Sequence, residues 1–265
     1  MHPRCDDLTT DDGVRLRLTL WGDDARPPLV LLHGGGANAR WWAPLAARLS
    51  THFYCIGLDF RGHGDSEAPT PEPGAFQRDI ESLAQRLERA FDLVGHSMGA
   101  PVALQFSARS DRVTGLVAIE AARGAPARHS RRARLALAAR RSYRTREEAI
   151  ARYRFLPEAR AVDEAIRAEI ARHSVREEPD GRFGYKFVPR WLPKASLTPP
   201  PRSRISAPSR LIRGEHSPLL TREGADELAR EIPNARVLEI AGGGHNVHLE
   251  CPDATARAVI EHLDP

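Results

Sequence analysis

The chain has 265 residues, of which 41% are hydrophobic and 28% are charged, and these values fit one compact folded unit that carries an insertion. No apolar run approaches the roughly 18 to 20 residues that a membrane span needs, so we expect no membrane partner. The polar, acidic N-terminal stretch lacks an apolar signal segment, which favours a cytoplasmic location. Three widely spaced cysteines argue against a disulfide framework and against a zinc cluster.

The formal net charge of +4 is supplied almost entirely by arginine, since only two of the 39 basic residues are lysine. A high-GC genome would produce this bias without any binding function. The bias is strongest in the segment 123–176, which carries 15 arginines against six acidic residues and could attract an acidic substrate or partner. No RNP, zinc-finger or helix-turn-helix pattern accompanies it, so we expect a small-molecule substrate and no nucleic acid.

The first half of the chain alternates strand-like and helix-like segments in chain order. Short apolar or alternating runs predict strands at 14–21, 27–32, 52–60, 91–97 and 112–120. Helical spacing of apolar residues predicts helices at 38–50, 76–90 and 98–109. The same rhythm returns late, with strands at 208–215 and 235–242 and helices at 222–231 and 252–263. This order predicts an α/β fold with a mostly parallel sheet that is covered on both faces.

The sheet pattern is interrupted once, between residues 123 and 206. Three stretches there have helical spacing, namely 129–143, 145–156 and 157–173, whereas 181–193 is aromatic, glycine-punctuated and extended. A proline cluster at 198–209 then ends the segment, because proline neither continues a helix nor donates to a central strand. We therefore predict core residues 1–122, a mainly helical cap at 123–206, and core residues 207–265.

A serine stands at a sharp turn between a predicted strand and a predicted helix. The pentapeptide GHSMG, with Ser97 at its centre, directly follows the apolar residues DLV and precedes the helical stretch ALQFSAR. In a G-x-S-x-G turn the serine hydroxyl projects above the sheet edge, and the glycines leave room for neighbouring backbone. This context indicates that Ser97 is a nucleophile rather than an ordinary turn residue.

A glycine-rich turn lies upstream, at residues 33–36 (HGGG), directly after the predicted strand PLVLL. It is therefore expected at the same sheet edge as Ser97. Backbone N–H groups near Gly35 and at Met98 could hold a developing oxyanion, and one such donor is worth about 10² to 10³ in rate. A phosphate cradle is the competing interpretation, but neither a GK[ST] sequence nor a GxGxxG register is present. We predict an oxyanion hole.

These two motifs and three further segments resemble the α/β-hydrolase superfamily, in its capped, cofactor-independent branch. The matching segments are LLHGGGANARWW, LDFRGHGDS, LVGHSMGA, LIRGEHSPLL and GGGHNVHLECP. The resemblance covers nearly the whole chain except the predicted cap. It implies an α/β-hydrolase fold, Ser97 as the nucleophile, an acid next in chain order, a histidine last, and no metal or organic cofactor.

His245 matches the catalytic histidine of this family, because it lies in the loop after the last predicted strand and ahead of the C-terminal helix. We interpret His33 and His96, which lie beside motif residues, as structural hydrogen-bonding groups or pocket walls. His248 is three residues past His245, and the two could also be metal ligands, but no third ligand stands at a fitting spacing. The resemblance therefore implies His245 as the general base.

The acid departs from the commonest family pattern. Many relatives have an aspartate where this chain has Ser217, which cannot supply the negative charge that orients an imidazolium, so its replacement is expected to change little. A family variant takes its acid from the end of the strand after the nucleophile helix, and that strand, VTGLVAI, is followed by Glu120. Burying this carboxylate without a partner such as His245 would be costly. We predict Glu120 as the acid, with Glu215 or no working acid as alternatives.

These residues predict a serine hydrolase that cleaves a carboxylic ester or lactone of a small, fairly apolar substrate through an acyl-enzyme. One alternative is a carbon–carbon bond hydrolase for vinylogous diketones, and another is a ligand-binding shell without turnover. Aromatic residues near the predicted cap are candidate substrate contacts, namely Trp41, Tyr143, Phe155 and Trp191. The sequence leaves monomer and homodimer open.

Overall fold

The computed structural model describes residues 3–139, 141–192 and 201–264; the first part of the predicted proline cluster lies outside them. The strands are β1 (Arg4–Thr9), β2 (Arg15–Trp21), β3 (Pro28–Leu32), β4 (Tyr54–Leu58), β5 (Phe91–His96), β6 (Val113–Ile119), β7 (Val175–Glu177), β8 (Phe183–Tyr185), β9 (Ser209–Gly214) and β10 (Ala235–Ile240). The α-helices are α1 (Ala43–Leu49), α2 (Ala75–Leu87), α3 (Gly99–Ser107), α4 (Ala127–Ala138), α5 (Arg146–Ala151), α6 (Glu164–Ser174), α7 (Arg222–Arg230), α8 (Val247–Glu250) and α9 (Pro252–Leu263).

Eight of the strands form one sheet in the order β1-β2-β4-β3-β5-β6-β9-β10. The pairs β1/β2 and β2/β4 are antiparallel, and all later pairs are parallel. The carboxyl ends of β3, β5, β6 and β9 therefore meet at one edge, which is where ligands bind in open α/β sheets. The predicted mostly parallel sheet with flanking helices, the α/β-hydrolase fold, is confirmed.

Helices cover both faces of the sheet, and β3 shows why its sequence is continuously apolar. Leu29 and Leu31 point to the face covered by α1 and α9, whereas Val30 and Leu32 point to the face covered by α2, α3 and α7. Successive side chains of a strand alternate between faces, so a strand buried on both sides needs an apolar residue at every position. The two cores are separate layers on either side of β3.

The segment between β6 and β9 lies over the carboxyl edge of the sheet. It contains α4, α5, α6, the two-stranded β7/β8 hairpin and a 3₁₀ turn at Pro189–Trp191. A third apolar cluster joins it to the sheet domain through Trp41, which packs with Tyr153 and Phe155. Within the described ranges, no helix combines the length and the apolar stretch that crossing a bilayer requires.

Two of the differences from the sequence prediction have a clear physical reason. The stretch 157–173 was predicted to be helical throughout, but α6 begins only at Glu164, because the Asp163 side chain accepts hydrogen bonds from Ala165 N (2.7 Å) and Ile166 N (3.3 Å) and so caps the helix start. Strand β1 was not predicted, because only Leu8 of its six residues is buried and an edge strand of this kind has no apolar alternation.

Candidate active site

Ser97 occupies the turn between β5 and α3, with a φ of 51°. The two glycines of the motif are required by close packing. A Cβ on Gly95 would lie 2.4 Å from Gly99 O, and a Cβ on Gly99 would lie 2.3 Å from Leu32 O. Because the contacted atoms are backbone, they cannot move aside as a flexible side chain could. The turn therefore holds the Ser97 hydroxyl at the carboxyl edge of the sheet.

Ser97, His245 and Glu120 form a continuous hydrogen-bonded chain. His245 Nε2 lies 2.9 Å from Ser97 Oγ, and His245 Nδ1 lies 2.9 Å from Glu120 Oε2. An ionised carboxylate can only accept, so Nδ1 carries the proton and Nε2 is left to accept the hydroxyl proton of Ser97. This is the tautomer that a general base for a serine nucleophile needs.

Further donors surround the carboxylate of Glu120, whose side chain is fully buried. Gly214 N donates to Oε1 at 2.8 Å, and Ser217 Oγ donates to Oε2. The Ser217 oxygen itself accepts hydrogen bonds from Leu220 N (3.0 Å) and Leu219 N (3.3 Å), so its own proton is directed at Glu120. The sequence excluded Ser217 as the acid but gave no sign that it would contact the acid.

Burial shifts the pKa values of Glu120 and His245 in opposite directions. It raises the pKa of the Glu120 carboxyl, and the hydrogen bonds from Ser217 and Gly214 oppose that shift. Both carboxylate oxygens face donors, which favours the ionised form. Burial lowers the pKa of the His245 imidazole to about 4, so the imidazole is neutral near pH 7 and free to accept a proton.

The alternative acid, Glu215, does not reach the histidine. Its side chain is exposed, and Oε2 accepts a hydrogen bond from Gly242 N at 2.8 Å, in the turn after β10. The structure brings Glu120, and not Glu215, against His245.

The predicted oxyanion residues lie beside Ser97. Gly35 and Met98 both line the cavity that contains Ser97, and a Cβ on Gly35 would lie 3.7 Å from Met98 Sδ. Met98 is the N-cap residue of α3, where backbone N–H groups have no partner inside the helix. The two N–H groups thus belong to the turns that border the nucleophile.

The other histidines near the site have structural contacts. His96 Nε2 lies 2.9 Å from the backbone oxygen of His245, and His33 Nδ1 lies 2.7 Å from Gly34 O. His248 is buried, with its ring centroid 4.8 Å from that of Trp42. Among the described residues there is no group of three side chains that could hold a metal ion.

A cavity of about 300 Å³ opens beside Ser97 and His245. Its walls are mostly aliphatic, and Leu137 of α4 packs near Gly35. Two arginines, Arg123 and Arg202, also line it. The full lining set among the described residues is Gly35, Ser97, Met98, Pro101, Leu104, Ala121, Ala122, Arg123, Leu137, Leu156, Pro157, Leu192, Arg202, Leu219, Leu228 and His245.

The four aromatic residues predicted as substrate contacts are not among the described residues that line this cavity. Trp41 Nε1 donates to Tyr153 Oη at 3.0 Å, and its ring meets that of Phe155 edge to face. Tyr143 pairs with β8, and Trp191 Nε1 donates to the Pro69 carbonyl at 3.0 Å. The rings of Trp41, Phe155 and Trp191 lie between the 123–192 segment and the sheet domain, whereas Tyr143 packs against Tyr185 within that segment. Aliphatic residues line most of the cavity instead.

Comparison with known proteins assigns the family. The model of the alpha/beta hydrolase family matches residues 29–258. The chain belongs to this family. It is 30% identical over 254 residues to Esterase YbfF of Escherichia coli (strain K12), covering 89% of this chain and 93% of that protein. It is 28% identical to the 2-(acetamidomethylene)succinate hydrolase of Mesorhizobium japonicum (strain LMG 29417 / CECT 9101 / MAFF 303099), covering 96% and 94%.

The fold has a matching solved structure. The crystal structure of E-2-(acetamidomethylene)succinate hydrolase superposes with a TM-score of 0.86 over 100% of both chains, at 22% identity. The alpha/beta hydrolase membership predicted from the five segments is confirmed. Together with the curated relatives, it supports a hydrolase.

Proposed function

We propose that this alpha/beta hydrolase is a serine hydrolase that cleaves a carboxylic ester or lactone of a small, fairly apolar substrate. The observation that carries the proposal is the chain of two 2.9 Å contacts from Ser97 through His245 to Glu120, placed at the wall of an aliphatic cavity. The similarity to an esterase over most of both chains supports the ester class.

In the first half of the reaction, Ser97 Oγ attacks the substrate carbonyl while its proton passes to His245 Nε2. The resulting oxyanion accepts hydrogen bonds from the backbone N–H groups of Gly35 and Met98. Glu120 stabilises the charged imidazole through Nδ1. The imidazolium then gives its proton to the departing oxygen, the carbon–oxygen bond breaks, and the acyl group remains on Ser97.

In the second half, water replaces the alcohol. His245 Nε2 takes a proton from water as the water oxygen attacks the acyl carbonyl, and the same N–H groups hold the second oxyanion. Return of the proton to Ser97 Oγ releases the carboxylic acid. We further propose that residues 123–206 act as a cap, because Leu137, Leu156 and Leu192 of that segment line the cavity.

Covalent labelling tests this function. The folded wild type is incubated with a fluorophosphonate probe and the modified residue is identified by mass spectrometry, and turnover is measured on 4-nitrophenyl butanoate and small lactones. Labelling at Ser97 together with turnover is expected, because an activated serine hydroxyl attacks the phosphorus of the probe, displaces fluoride and becomes phosphonylated. Ser97→Ala should lose both.

Ser107→Ala is the matched control, because Ser107 is a buried serine on α3 whose hydroxyl has no hydrogen-bond partner among the described residues. It should keep labelling and turnover. The proposal is wrong if the folded wild type is neither labelled nor active on esters and lactones, or if Ser97→Ala retains turnover. Turnover of a vinylogous diketone alone would favour the carbon–carbon hydrolase instead.

A further inference from the structure

Positive charge in the cavity comes from two arginines. Arg123 and Arg202 line it together with Ser97 and His245, and every other lining residue in the described chain is apolar or glycine. Among the residues that the structure describes, no carboxylate side chain is part of that wall. A guanidinium set in an apolar wall attracts an anion more strongly than it would in bulk water, because the local dielectric constant is lower.

The backbone of Arg123 is held in a fixed position relative to Ser97, His245 and Glu120. It lies three residues after Glu120, its backbone N donates to Leu219 O at 3.0 Å, and its carbonyl accepts from Thr221 N at 3.0 Å. These bonds tie it to the loop after β9, which also carries Ser217. Arg123 therefore has a fixed backbone position at the same sheet edge as the proposed catalytic residues.

One glutamate joins the two arginines. Glu231 Oε1 lies 2.7 Å from Arg123 Nη2, and the other oxygen, Oε2, accepts a hydrogen bond from Arg202 Nη1. Glu227 accepts a further hydrogen bond from Arg123 Nε at 3.2 Å. A guanidinium has five N–H donors, so these bonds leave donors on both arginines. The glutamates hold the guanidinium groups in place and do not line the cavity themselves.

We propose that Arg123 and Arg202 form a carboxylate subsite, so that the preferred substrate is an ester or lactone carrying a carboxylate remote from the scissile bond. Leu104, Leu219 and Leu228 line the same cavity and would contact the aliphatic part of such a molecule. A volume of about 300 Å³ suits a small ligand of this kind. The inference rests on the proposed ester hydrolase function and names its substrate class.

Two matched pairs of esters test the subsite. On the acyl side, mono-4-nitrophenyl adipate is compared with 4-nitrophenyl hexanoate; on the alcohol side, 4-(carboxymethyl)phenyl butanoate is compared with 4-ethylphenyl butanoate. In at least one pair we expect the carboxylate ester to have a kcat/KM about tenfold higher, as suits a charge-assisted hydrogen bond in a partly exposed site. Arg123→Gln should remove that preference through KM, so that the two esters of the pair are hydrolysed with similar kcat/KM values.

Two further variants separate recognition from packing. Glu231→Gln keeps both guanidinium groups and an amide oxygen that can accept their hydrogen bonds, but removes the counter-charge that the two arginines share, so the preference for the carboxylate ester should persist or increase. Arg86→Gln, which removes an ion-paired arginine near β1, should change nothing. Equal loss of the preference in Arg123→Gln and Glu231→Gln would mean that the ion pairs only stabilise the wall, and the subsite would be wrong.

The outcome is distinguishable from failure of the proposed function. If neutral esters are hydrolysed and neither carboxylate ester is preferred, the subsite is wrong and the ester hydrolase stands. Hexanoate supplies a readout that needs no turnover, because its carboxylate should make it slow fluorophosphonate labelling of wild-type Ser97 more than the neutral hexanamide does at equal concentration, and Arg123→Gln should abolish the difference. Equal protection by hexanoate and hexanamide in the wild type would also overturn the subsite.

Discussion

Glu120 has an uncommon backbone conformation for a residue with a side chain, since its φ is 56°. Its N–H donates to Ile212 O at 2.8 Å, and its side chain accepts from Gly214 N, so both ends of the residue are tied to β9. A positive φ of this kind costs on the order of 1–3 kcal/mol and persists only where surrounding contacts impose it. The neighbouring strand therefore fixes where the carboxylate points.

Replacing this carboxylate gives the first residue-scale prediction. In Glu120→Gln the amide has no negative charge to stabilise the imidazolium and does not select the productive histidine tautomer, so kcat should fall by about 10³ to 10⁴. Circular dichroism should show an unchanged fold. Glu215→Gln is the matched control, because Glu215 is exposed and its carboxylate bonds to the turn after β10, and it should retain wild-type kcat. Near-wild-type turnover in Glu120→Gln would show that the acid is assigned wrongly.

Ser217 donates a hydrogen bond to Glu120, and this contact predicts a larger effect of its replacement than the sequence did. In Ser217→Ala the carboxylate loses a hydrogen bond that lowers its pKa, so the pKa of Glu120 rises. Activity needs the ionised form, and the acid limb of the kcat/KM profile should therefore move to higher pH, with kcat reduced about tenfold. Ser217→Thr keeps the hydroxyl and should keep the wild-type profile. Identical acid limbs in Ser217→Ala and wild type would rule out this role.

A short sequence pattern predicts some of these residues, whereas others depend on contacts between distant parts of the chain. Ser97 and Gly35 are set by turns whose glycines are visible in the sequence, and Glu120 by its place at the end of an apolar strand. The contact from Ser217 depends on the path of the loop after β9, which no short pattern encodes. The sequence did not predict the cavity wall either, because Leu137 and Leu156 are aliphatic residues like those of any protein core.

At the scale of elements, strand order brings the proposed catalytic residues together. Ser97 follows β5, Glu120 follows β6 and Gly214 ends β9, and these three strands are neighbours in the sheet. The alternation of strands and helices was sufficient to predict a parallel sheet, because buried strands and amphipathic helices have different periodicities. This alternation could not predict where α6 begins, because its N-cap residue, Asp163, lies inside a longer stretch with helical spacing.

The 123–192 segment is attached to the sheet domain by specific polar contacts as well as by apolar packing. Asn38 Nδ2 donates to Ser174 Oγ at 2.9 Å, and Asn246 Nδ2 donates to Pro157 O at 2.9 Å. Asn246 directly follows His245, so the loop that carries the histidine is joined to the segment that lines the cavity. The sequence indicated an inserted helical region but not these long-range bonds, which depend on the folded arrangement.

At the scale of the whole molecule, buried histidines make stability depend on pH. Burial lowers the pKa of five of them, of which His63 is shifted to about 4 and His96 to about 3; the others are His33, His245 and His248. Burial acts in the opposite sense on Asp59 and Asp79, whose pKa values rise to about 6. The two groups of residues therefore give stability contributions of opposite slope on the acid side of neutrality.

The sign for a histidine follows from proton counting. Below pH 6.5 the unfolded chain protonates a histidine that the folded protein keeps neutral down to a pH of about 4, so the free energy of unfolding falls as pH falls through that window. Each such group contributes a slope of about 1.4 kcal/mol per pH unit. The raised carboxylates bind protons in the folded state first, so their contribution falls as pH rises from 3.8 to about 6.

His63→Phe isolates one of these contributions. The ring of His63 is buried, its centroid lies 4.7 Å from that of Phe187, and its Nε2 has no partner among the described residues, so phenylalanine fits the same aromatic packing. Urea unfolding at pH 7.0, 6.0 and 5.0 should show a smaller loss of stability on acidification than in the wild type, by about 2 kcal/mol over the two pH units, because the full slope applies only below the unfolded pKa of 6.5. His129→Phe, at an exposed position, should keep the wild-type slope. Loss of the hydrogen bond from His63 to the Arg61 carbonyl shifts the His63→Phe values equally at every pH, so it does not change the slope. Equal slopes in His63→Phe and wild type would mean that His63 takes up its proton over the same pH range in the folded and the unfolded protein, which would contradict this prediction.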